Sequence, residues 1–272
     1  MSAQNNQPDW NRVAEKFDLW LPQLAPVGEA LLDALAAVPG NRVLDVACGT
    51  GEPALTLARR LGRHIELTCI DAAQGMVTAA EKKAHREGLT DVRFQAMPAE
   101  QLTFPDASFD RILCRFGVML FENPIRGLSE MLRVLKPGGR FAYAVWDTPE
   151  AMPTLLWSFY AFKNRVPEQH YPPLAKITSL GGPGVFDRAL REAGYNDFSV
   201  ASFTFHYSFA TFEEYWHTIE ASEIMHQQFA ALPADQRDQV RDEIAIFARE
   251  FHGAQGLSIP HRYLLAQGRK RP

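Results

Sequence analysis

The stretch RVLDVACGTGEPAL, residues 42–55, decides the fold of this chain. Its apolar positions around Asp45 are typical of a buried strand. Gly49 and Gly51 follow, and because they carry no Cβ they let the backbone turn sharply and approach a ligand closely. Pro53 suits the first turn of a helix, where its missing N–H costs nothing. The stretch therefore predicts a strand, a tight glycine turn and a helix whose unpaired N–H groups lie beside the turn.

Three further stretches follow in a fixed order, and together with the first they resemble a known family. They read CIDAAQGM (69–76), MPAEQLTFPDASFD (97–110) and LRVLKPGGRFAYAVW (132–146). Over about residues 10–146 the chain resembles the class I S-adenosylmethionine (SAM) dependent methyltransferases, in their UbiE-like small-molecule branch. The resemblance implies a Rossmann-like methyltransferase fold, SAM as the cofactor and methyl transfer as the reaction.

The composition is that of an ordinary globular protein, with 46% hydrophobic and 22% charged residues. A net charge of −4 argues against a nucleic-acid partner, because such partners usually need a basic surface. The N-terminus lacks the features of a signal peptide and no apolar run reaches the length of a membrane span, so we expect no membrane partner. The three cysteines, Cys48, Cys69 and Cys114, lack metal-ligand spacing, which predicts reduced thiols, no metal site and a cytoplasmic protein.

Helix and strand patterns alternate through the first half of the chain. We expect helices at 9–21 and from Pro26 to Val38, and then three more at 53–61, 73–87 and 124–135. The expected strands are 42–47, 65–70, 92–95, 109–115 and 140–146. Apolar strands that alternate with helices predict an α/β fold with a doubly wound, mostly parallel sheet, which reaches seven strands with two more from the C-terminal part. Ligands of such folds bind at the carboxyl ends of the strands.

The pattern changes after Trp146. A proline-punctuated, aromatic-rich stretch predicts a cap, followed by a helix at 183–193, a strand at 196–207, helices within 211–253 and a last strand at about 257–267. Pro260 predicts a bulge or a sheet edge in that last strand. The expected organisation is a helical segment that closes the site (1–40), a SAM-binding core (41–148), a cap insertion (149–182) and C-terminal strands (183–272) with a helical insertion near 211–253.

Two acids at strand ends suit different parts of SAM. Asp71 follows the second apolar run, where a carboxylate can accept hydrogen bonds from both ribose hydroxyls. Asp45 can accept from the methionyl ammonium, directly or through water. An unpaired charge beside such apolar runs would be costly, which favours ligand binding over a mere surface position.

The resemblance implies further cofactor contacts. Ala72 and Met76 would flank the adenine, with Ala99 and Glu100 at its edge. The remaining cofactor positions that it implies are Ala47, Cys48, Gly49, Gly51, Cys114 and Arg115. For Cys48, a role as a small residue beside the cofactor is favoured over a nucleophile, because no acid–base partner is near it in sequence.

The chain departs from the family pattern at two positions. Ala47 stands where the family has its first motif glycine. Pro98 stands where the family usually has an aspartate that accepts from the adenine amino group, and proline cannot do so. Glu100 or Gln95 would have to compensate, or the adenine contact is weaker.

The glycine turn also fits a competing pattern. Residues 49–54 match the dinucleotide fingerprint G-x-G-x-x-A. An acid in the strand just before the turn, a proline at the helix start and the Lys-Pro-Gly-Gly turn before the fifth strand are no part of that fingerprint. SAM is therefore favoured over NAD or FAD.

Aromatic residues supply the candidate acceptor pocket, although core packing explains each of them alone about as well. The first predicted helix would close over the site, and the candidate substrate residues are Trp10, Phe17, Trp20, Phe116, Trp146, Trp157 and Trp216. A general base is needed only if the acceptor must lose a proton. His170 and Tyr171 in the cap are the chosen candidates, ahead of His206, His217 and His226, each of which also suits a surface or packing role.

The leading hypothesis is a cytoplasmic SAM-dependent methyltransferase, a monomer or homodimer, that acts on a small aromatic or lipophilic metabolite by in-line SN2 displacement. One alternative keeps SAM but performs non-methyl chemistry such as cyclisation. Another is a non-catalytic protein that senses SAM. The sequence does not identify the acceptor or the atom that is methylated.

Overall fold

The computed structural model describes residues 8–272. Its strands are β1 (Arg42–Val46), β2 (Glu66–Asp71), β3 (Arg93–Ala96), β4 (Phe109–Arg115), β5 (Leu135–Trp146), β6 (Asp197–Phe209), β7 (His252–Gly253) and β8 (Gly256–Arg269). Seven of them form one sheet in the order β3-β2-β1-β4-β5-β8-β6, and the short β7 pairs with β8 off this path. The first five strands pair in parallel, while β8 is antiparallel to both β5 and β6. The predicted doubly wound, mostly parallel sheet is confirmed.

Eleven α-helices lie within the described residues. They are α1 (Trp10–Val13), α2 (Leu21–Leu35), α3 (Ala54–Leu61), α4 (Gln74–Arg86), α5 (Pro124–Val134), α6 (Pro153–Phe162), α7 (Leu174–Ile177), α8 (Val185–Glu192), α9 (Phe212–Ala221), α10 (His226–Ala231) and α11 (Arg237–Ala248). None of the helices in residues 8–272 is both long and apolar enough to cross a membrane.

The predicted N-terminal helices are wrong in their boundaries. The stretch 9–21 is broken into α1 and a 3-10 turn, Phe17–Trp20, and α2 then begins at Leu21. Pro22 explains this start, because a proline in the first turn gives up no hydrogen bond. Pro26 lies inside α2 instead of beginning it, and the helix ends at Leu35. Residues 1–7 of the predicted segment 1–40 lie outside the described part of the chain.

Pro260, predicted to lie at a bulge or a sheet edge, is part of the last strand, β8. Its pairing with β6 is continuous from Leu257 to Arg269, so the structure has no bulge at Pro260. The pairing of β8 with β5 starts only at Tyr263. Pro260 therefore lies where β8 has one neighbour in the main sheet, a local edge that tolerates a missing N–H.

The β6–β8 pair extends beyond the carboxyl end of β5. Trp146, the last residue of β5, pairs with Tyr263, whereas residues 204–209 and 257–262 continue pairing with each other past that point. We call these two segments the aromatic ribbon. At the usual rise per residue they reach roughly 20 Å past the parallel sheet. The ribbon therefore forms a wall beside the edge at which ligands of such sheets bind.

Candidate cofactor and acceptor site

The glycine turn between β1 and α3 has the backbone that its sequence predicts. Gly49 and Gly51 have φ angles of 53° and 101°, which glycine adopts at little cost. A Cβ at Gly51 would lie 2.7 Å from the Leu55 Cδ1 atom, so the turn is also packed too closely for a side chain there. The turn is closed by the Gly51 N–H, which donates to the Cys48 carbonyl over 2.9 Å.

Asp71, at the end of β2, joins this turn to the neighbouring strand. Its two carboxylate oxygens accept from the Gly49 and Ala73 N–H groups, each over 2.9 Å. A carboxylate has about four lone-pair sites, so each oxygen can still accept one hydroxyl. Burial raises the pKa of Asp71, and the two N–H donors oppose that rise. The geometry suits a ribose diol held beside the turn.

Asp45 is a buried carboxylate without a hydrogen-bond partner. Its side chain is 1% exposed, and neither oxygen is bonded to any described residue. Burial raises its pKa well above the usual value, against the opposing effect of the Arg115 charge. An unpartnered buried carboxylate is costly unless a donor arrives. The methionyl ammonium of SAM is a donor of the required charge, so these residues fit the expected cofactor.

The N-terminal segment lies over α4, on the side of the cleft where the adenine is expected. Met76 is 2% exposed and packs with Val13 and Ala14, against which Trp10 and Phe17 also pack. The packing on Met76 is the contact that a cover over the adenine would need, and the role of this segment as a cover stays a prediction. Ala72, by contrast, is exposed.

Three polar contacts fasten this segment to the cofactor side of the molecule. The Gly75 N–H donates to the Asn11 side-chain oxygen over 2.7 Å. The Thr50 hydroxyl, within the glycine turn, donates to Asp18 over 2.6 Å, and Asp18 also pairs with Lys83 at 2.6 Å. The segment and the glycine turn are therefore held in one arrangement.

Glu100 and Gln95 are the two residues that could replace the adenine contact missing at Pro98, and they differ in their surroundings. Ala99 is buried, and the Glu100 carboxylate accepts from the Asn123 N–H over 3.3 Å, at the start of α5. Gln95 is exposed on the edge strand β3. The Glu100 oxygen is thus already engaged in this structure.

The three cysteines are buried thiols. Contact with the Cys69 thiol and burial raise the pKa of Cys48, and burial raises the pKa of Cys69 and Cys114. A raised pKa disfavours the thiolate, which is the nucleophilic form. Cys48 therefore suits a packing role beside the glycine turn better than covalent chemistry.

We expect Ala47→Gly to stabilise the protein. Ala47 has a φ of 57°, a left-handed conformation. That conformation costs an L-residue roughly 1–2 kcal/mol. Glycine removes the strain but adds roughly 0.4–1 kcal/mol of backbone entropy to the unfolded chain. The balance is a gain of about 0.5–1 kcal/mol in the free energy of unfolding, which urea denaturation of the ligand-free protein measures.

Gly117→Ala tests the close contact between Gly117 and the Ala47 side chain. A Cβ at Gly117 would lie 2.5 Å from the Ala47 Cβ and 2.7 Å from the Cys114 Sγ, so this variant should lose about 1–3 kcal/mol. Ala47→Gly removes one of the two clashing atoms. The double variant should therefore be more stable than the sum of the single effects, and strict additivity would contradict the contact.

Aromatic side chains line the acceptor side of the sheet edge. Phe116 stacks on Trp146 with ring centroids 3.7 Å apart, and Trp146 stacks on Phe205 of the ribbon at 5.9 Å. Trp20 packs against Tyr207, also of the ribbon, at 5.7 Å. Three of the predicted substrate residues, Trp20, Phe116 and Trp146, thus belong to one aromatic cluster.

Sequence reasoning missed the ribbon's own contribution, namely Phe205, Tyr207 and His261. His261 is fully buried and stacks on Tyr207 at 4.1 Å. Its two ring nitrogens bond to the Thr154 hydroxyl at 2.8 Å and to the Ile259 carbonyl at 3.1 Å. The alternating aromatic residues of 198–207 were the available signal for Phe205 and Tyr207. The pairing with β8, which adds His261, cannot be predicted from the local sequence of either strand.

The other predicted acceptor and base residues lie in the helical layer. Trp157 packs on Phe251 at 5.4 Å, and Trp216 packs on Phe229 at 5.7 Å. His170 ends a 3-10 turn, and the Tyr171 ring packs edge-to-face on Phe159 at 5.7 Å. A role for His170 or Tyr171 as a general base stays a prediction. Within residues 8–272 no group of three His, Cys, Asp or Glu side chains is arranged to hold a metal ion.

Comparison with known proteins identifies the core. Residues 43–139 match the family described as a methyltransferase domain. A demethylmenaquinone methyltransferase of Beutenbergia cavernae is 40% identical over 159 residues, which are 58% of this chain and 60% of that protein. A ubiquinone/menaquinone biosynthesis C-methyltransferase UbiE of Geobacter sulfurreducens is 39% identical over 123 residues, which are 44% of this chain and 48% of that protein. The matches thus span about half to three fifths of these curated relatives.

The fold comparison extends over most of the molecule. The crystal structure of a candidate methyltransferase from Bacillus halodurans has a TM-score of 0.62 and 21% identity, and the match covers 90% of this chain and 99% of that one. At this identity the likeness shows the fold. Residues 43–139 are thus similar to a methyltransferase domain, and the relatives that match the chain include methyltransferases of the UbiE type.

Proposed function

We propose that the protein transfers a methyl group from SAM to a small aromatic or lipophilic acceptor. The observation that carries the proposal is the pair of acids at adjacent strand ends. Asp71 already orders the glycine turn, and Asp45 is a buried carboxylate without a donor. The two supply a ribose acceptor and an ammonium acceptor side by side, as SAM requires.

The chain's own residues have mainly to position and enclose the reactants. SAM, when bound, supplies an activated methyl group on a sulfonium whose leaving group is a neutral thioether. Holding two reactants in line can provide roughly 7–11 kcal/mol of the barrier. Asp45 and Asp71 fix one reactant, and the aromatic ribbon with Phe116 and Trp146 offers flat apolar surfaces for the other.

His261 contacts these aromatic surfaces directly, but it is not suited to be the base. Burial lowers its pKa to about 4, and both ring nitrogens are already engaged. Its role is therefore that of an uncharged ring that stacks on Tyr207. Where the acceptor must lose a proton, His170 or Tyr171 remain the proposed bases.

The acceptor class rests on the relatives and on the ribbon together. The relatives' names include a demethylmenaquinone methyltransferase and a ubiquinone/menaquinone C-methyltransferase, so quinols are the first acceptors to test. We also propose a cytoplasmic location, since the three cysteines are buried and free. A monomer or homodimer is the proposed assembly.

The test combines cofactor binding with product analysis. Calorimetric titration should show SAM and S-adenosylhomocysteine binding, and mass spectrometry of an acceptor screen should then show a product heavier by one methylene unit. Failure to bind either ligand would refute the proposal. Binding with an isomerised, unmethylated product would favour cyclisation, and binding without turnover on any acceptor would favour a SAM sensor.

A further inference from the structure

Trp20 presents a polar group that the protein itself does not satisfy. Its side chain is 8% exposed, and its indole N–H donates to none of the described residues. The ring packs on Tyr207 and Phe209 of the aromatic ribbon, with centroids 5.7 and 6.5 Å away. A buried donor without an acceptor costs about 1–3 kcal/mol, so this N–H calls for a ligand oxygen.

Arg115 brings a positive charge to the same place. It is the last residue of β4 and is largely buried, with Nη1 3.6 Å from the position that a Cβ at Gly28 would take. Its guanidinium forms no hydrogen bond or ion pair with any other residue in the described part of the chain. Arg115 also lies near enough to Tyr207 to lower the pKa of that hydroxyl, against the burial that raises it.

The sheet order places this set of donors on the acceptor side. Asp71 ends β2 and Asp45 lies in β1, whereas Arg115 ends β4, which is next to β5 and then the ribbon strands. Trp20 and Tyr207 are on the ribbon side as well. The cofactor acids, Asp45 and Asp71, and the donor residues therefore lie next to each other along the carboxyl ends of the strands.

The charges favour an anion at this position. Asp45 is the charge that acts most strongly on the Arg115 guanidinium, and it is expected to be engaged by the cofactor ammonium. Glu52, the other carboxylate that acts on Arg115, is paired with Arg59 at 2.7 Å. With the cofactor bound, Arg115 would therefore be left without a carboxylate of its own. A buried uncompensated charge is costly, and an anionic oxygen on the acceptor removes that cost.

We propose that Arg115, the Tyr207 hydroxyl and the Trp20 indole N–H bind an anionic oxygen of the acceptor and so select acidic aromatic substrates. This inference rests on the proposed function, which it makes more specific. Charge-assisted hydrogen bonds from a guanidinium supply the affinity, while the aromatic ribbon holds the ring. The oxygen belongs to a carboxylate or to a phenolate.

The test uses probes that differ only in this oxygen. With S-adenosylhomocysteine bound, the wild type is titrated with 1-hydroxy-2-naphthoate, with its methyl ester and with naphthol. We expect the acid to bind roughly 10- to 100-fold more tightly than the ester, and Arg115→Met to remove that preference. A preference for naphthol over its methyl ether that also depends on Arg115 would assign the oxygen to a phenol.

Three variants separate recognition from folding. Arg111→Met removes an arginine from the same strand and should leave both affinities unchanged. Trp20→Phe and Tyr207→Phe keep an aromatic ring at each position but remove the N–H or O–H donor. Each should reduce the preference for the acid by roughly threefold to tenfold. S-adenosylhomocysteine affinity should be unchanged in all of these variants.

Two results would overturn the inference while leaving the proposed function intact. One is equal binding of acid and ester by the wild type together with equal binding of naphthol and its methyl ether. The other is loss of S-adenosylhomocysteine binding in folded Arg115→Met, which would assign Arg115 to the cofactor. Absence of cofactor binding in the wild type would instead refute the proposed function itself.

Discussion

Asp71→Ala is expected to weaken SAM binding by at least about 100-fold, the largest loss from any single side chain. The carboxylate would provide two hydrogen bonds to the ribose, and bonds to a charged group contribute roughly 1.5–3 kcal/mol each. It also accepts from the Gly49 and Ala73 N–H groups, so its removal leaves the glycine turn without that support. Calorimetric titration with SAM and S-adenosylhomocysteine measures the loss.

The matched control is Asp33→Ala, which removes an exposed acid from α2. It should change neither affinity nor the thermal midpoint. Asp71→Asn should also bind poorly, because its NH₂ group would face one of two backbone N–H donors. If folded Asp71→Ala bound SAM like the wild type, the ribose contact would be wrong.

The parallel half of the fold could be predicted because its signals are local. The apolar run of 42–47, the glycine turn and Pro53 each act on their immediate neighbours, and the structure has β1, the turn and α3 within a residue of the prediction. Asp71 likewise ends its own strand, β2. The two acids proposed for the cofactor could be selected for the same reason, since each follows or lies in an apolar run.

The N-terminal boundary shows how two local signals can compete. Pro22 and Pro26 both suit a first helical turn, and the prediction started the helix at Pro26. The structure uses Pro22. Leu24 and Val27, on either side of Pro26, are both buried, so packing on the sheet repays the hydrogen bond that Pro26 cannot make inside the helix.

The acceptor side could not be predicted in the same way, because it depends on register between distant segments. Phe205 comes to lie opposite His261 only when β6 and β8 pair as they do. A shift of one residue would turn both aromatic faces to the other side of the sheet. The orphaned N–H of Trp20 is equally non-local, since it follows from what surrounds the ring and from no property of its own sequence.

Asp45→Asn is expected to act in opposite directions on stability and on SAM binding. In the ligand-free protein the substitution removes a buried charge that has no hydrogen-bond partner, which should add about 1–3 kcal/mol to the free energy of unfolding near neutral pH. The same change removes the proposed negative partner of the cofactor ammonium. SAM affinity should therefore fall roughly 10- to 100-fold while the thermal midpoint rises.

The pH dependence of the stability difference between Asp45→Asn and the wild type tests whether the Asp45 charge causes it. Burial raises the pKa of Asp45 in the folded state, so the folded protein binds the proton more tightly than the unfolded chain does. The stability contribution of Asp45 must then fall as pH rises from the unfolded pKa, about 3.9, towards the raised folded pKa. The stabilisation of Asp45→Asn over the wild type should accordingly be small at the acid end of this window and largest above it.

Asp147→Asn is the matched control, because Asp147 is also buried but has partners. Its oxygens accept from the Thr148 N–H over 2.7 Å and from the Ser202 hydroxyl over 2.9 Å, and Arg262 lies at 3.4 Å. This variant should be less stable than the wild type, since it replaces an accepting oxygen by a donor. If both variants lost stability, Asp45 would be a structural acid. If only Asp45→Asn gained stability while losing SAM affinity, the cost of its burial would be what the cofactor relieves.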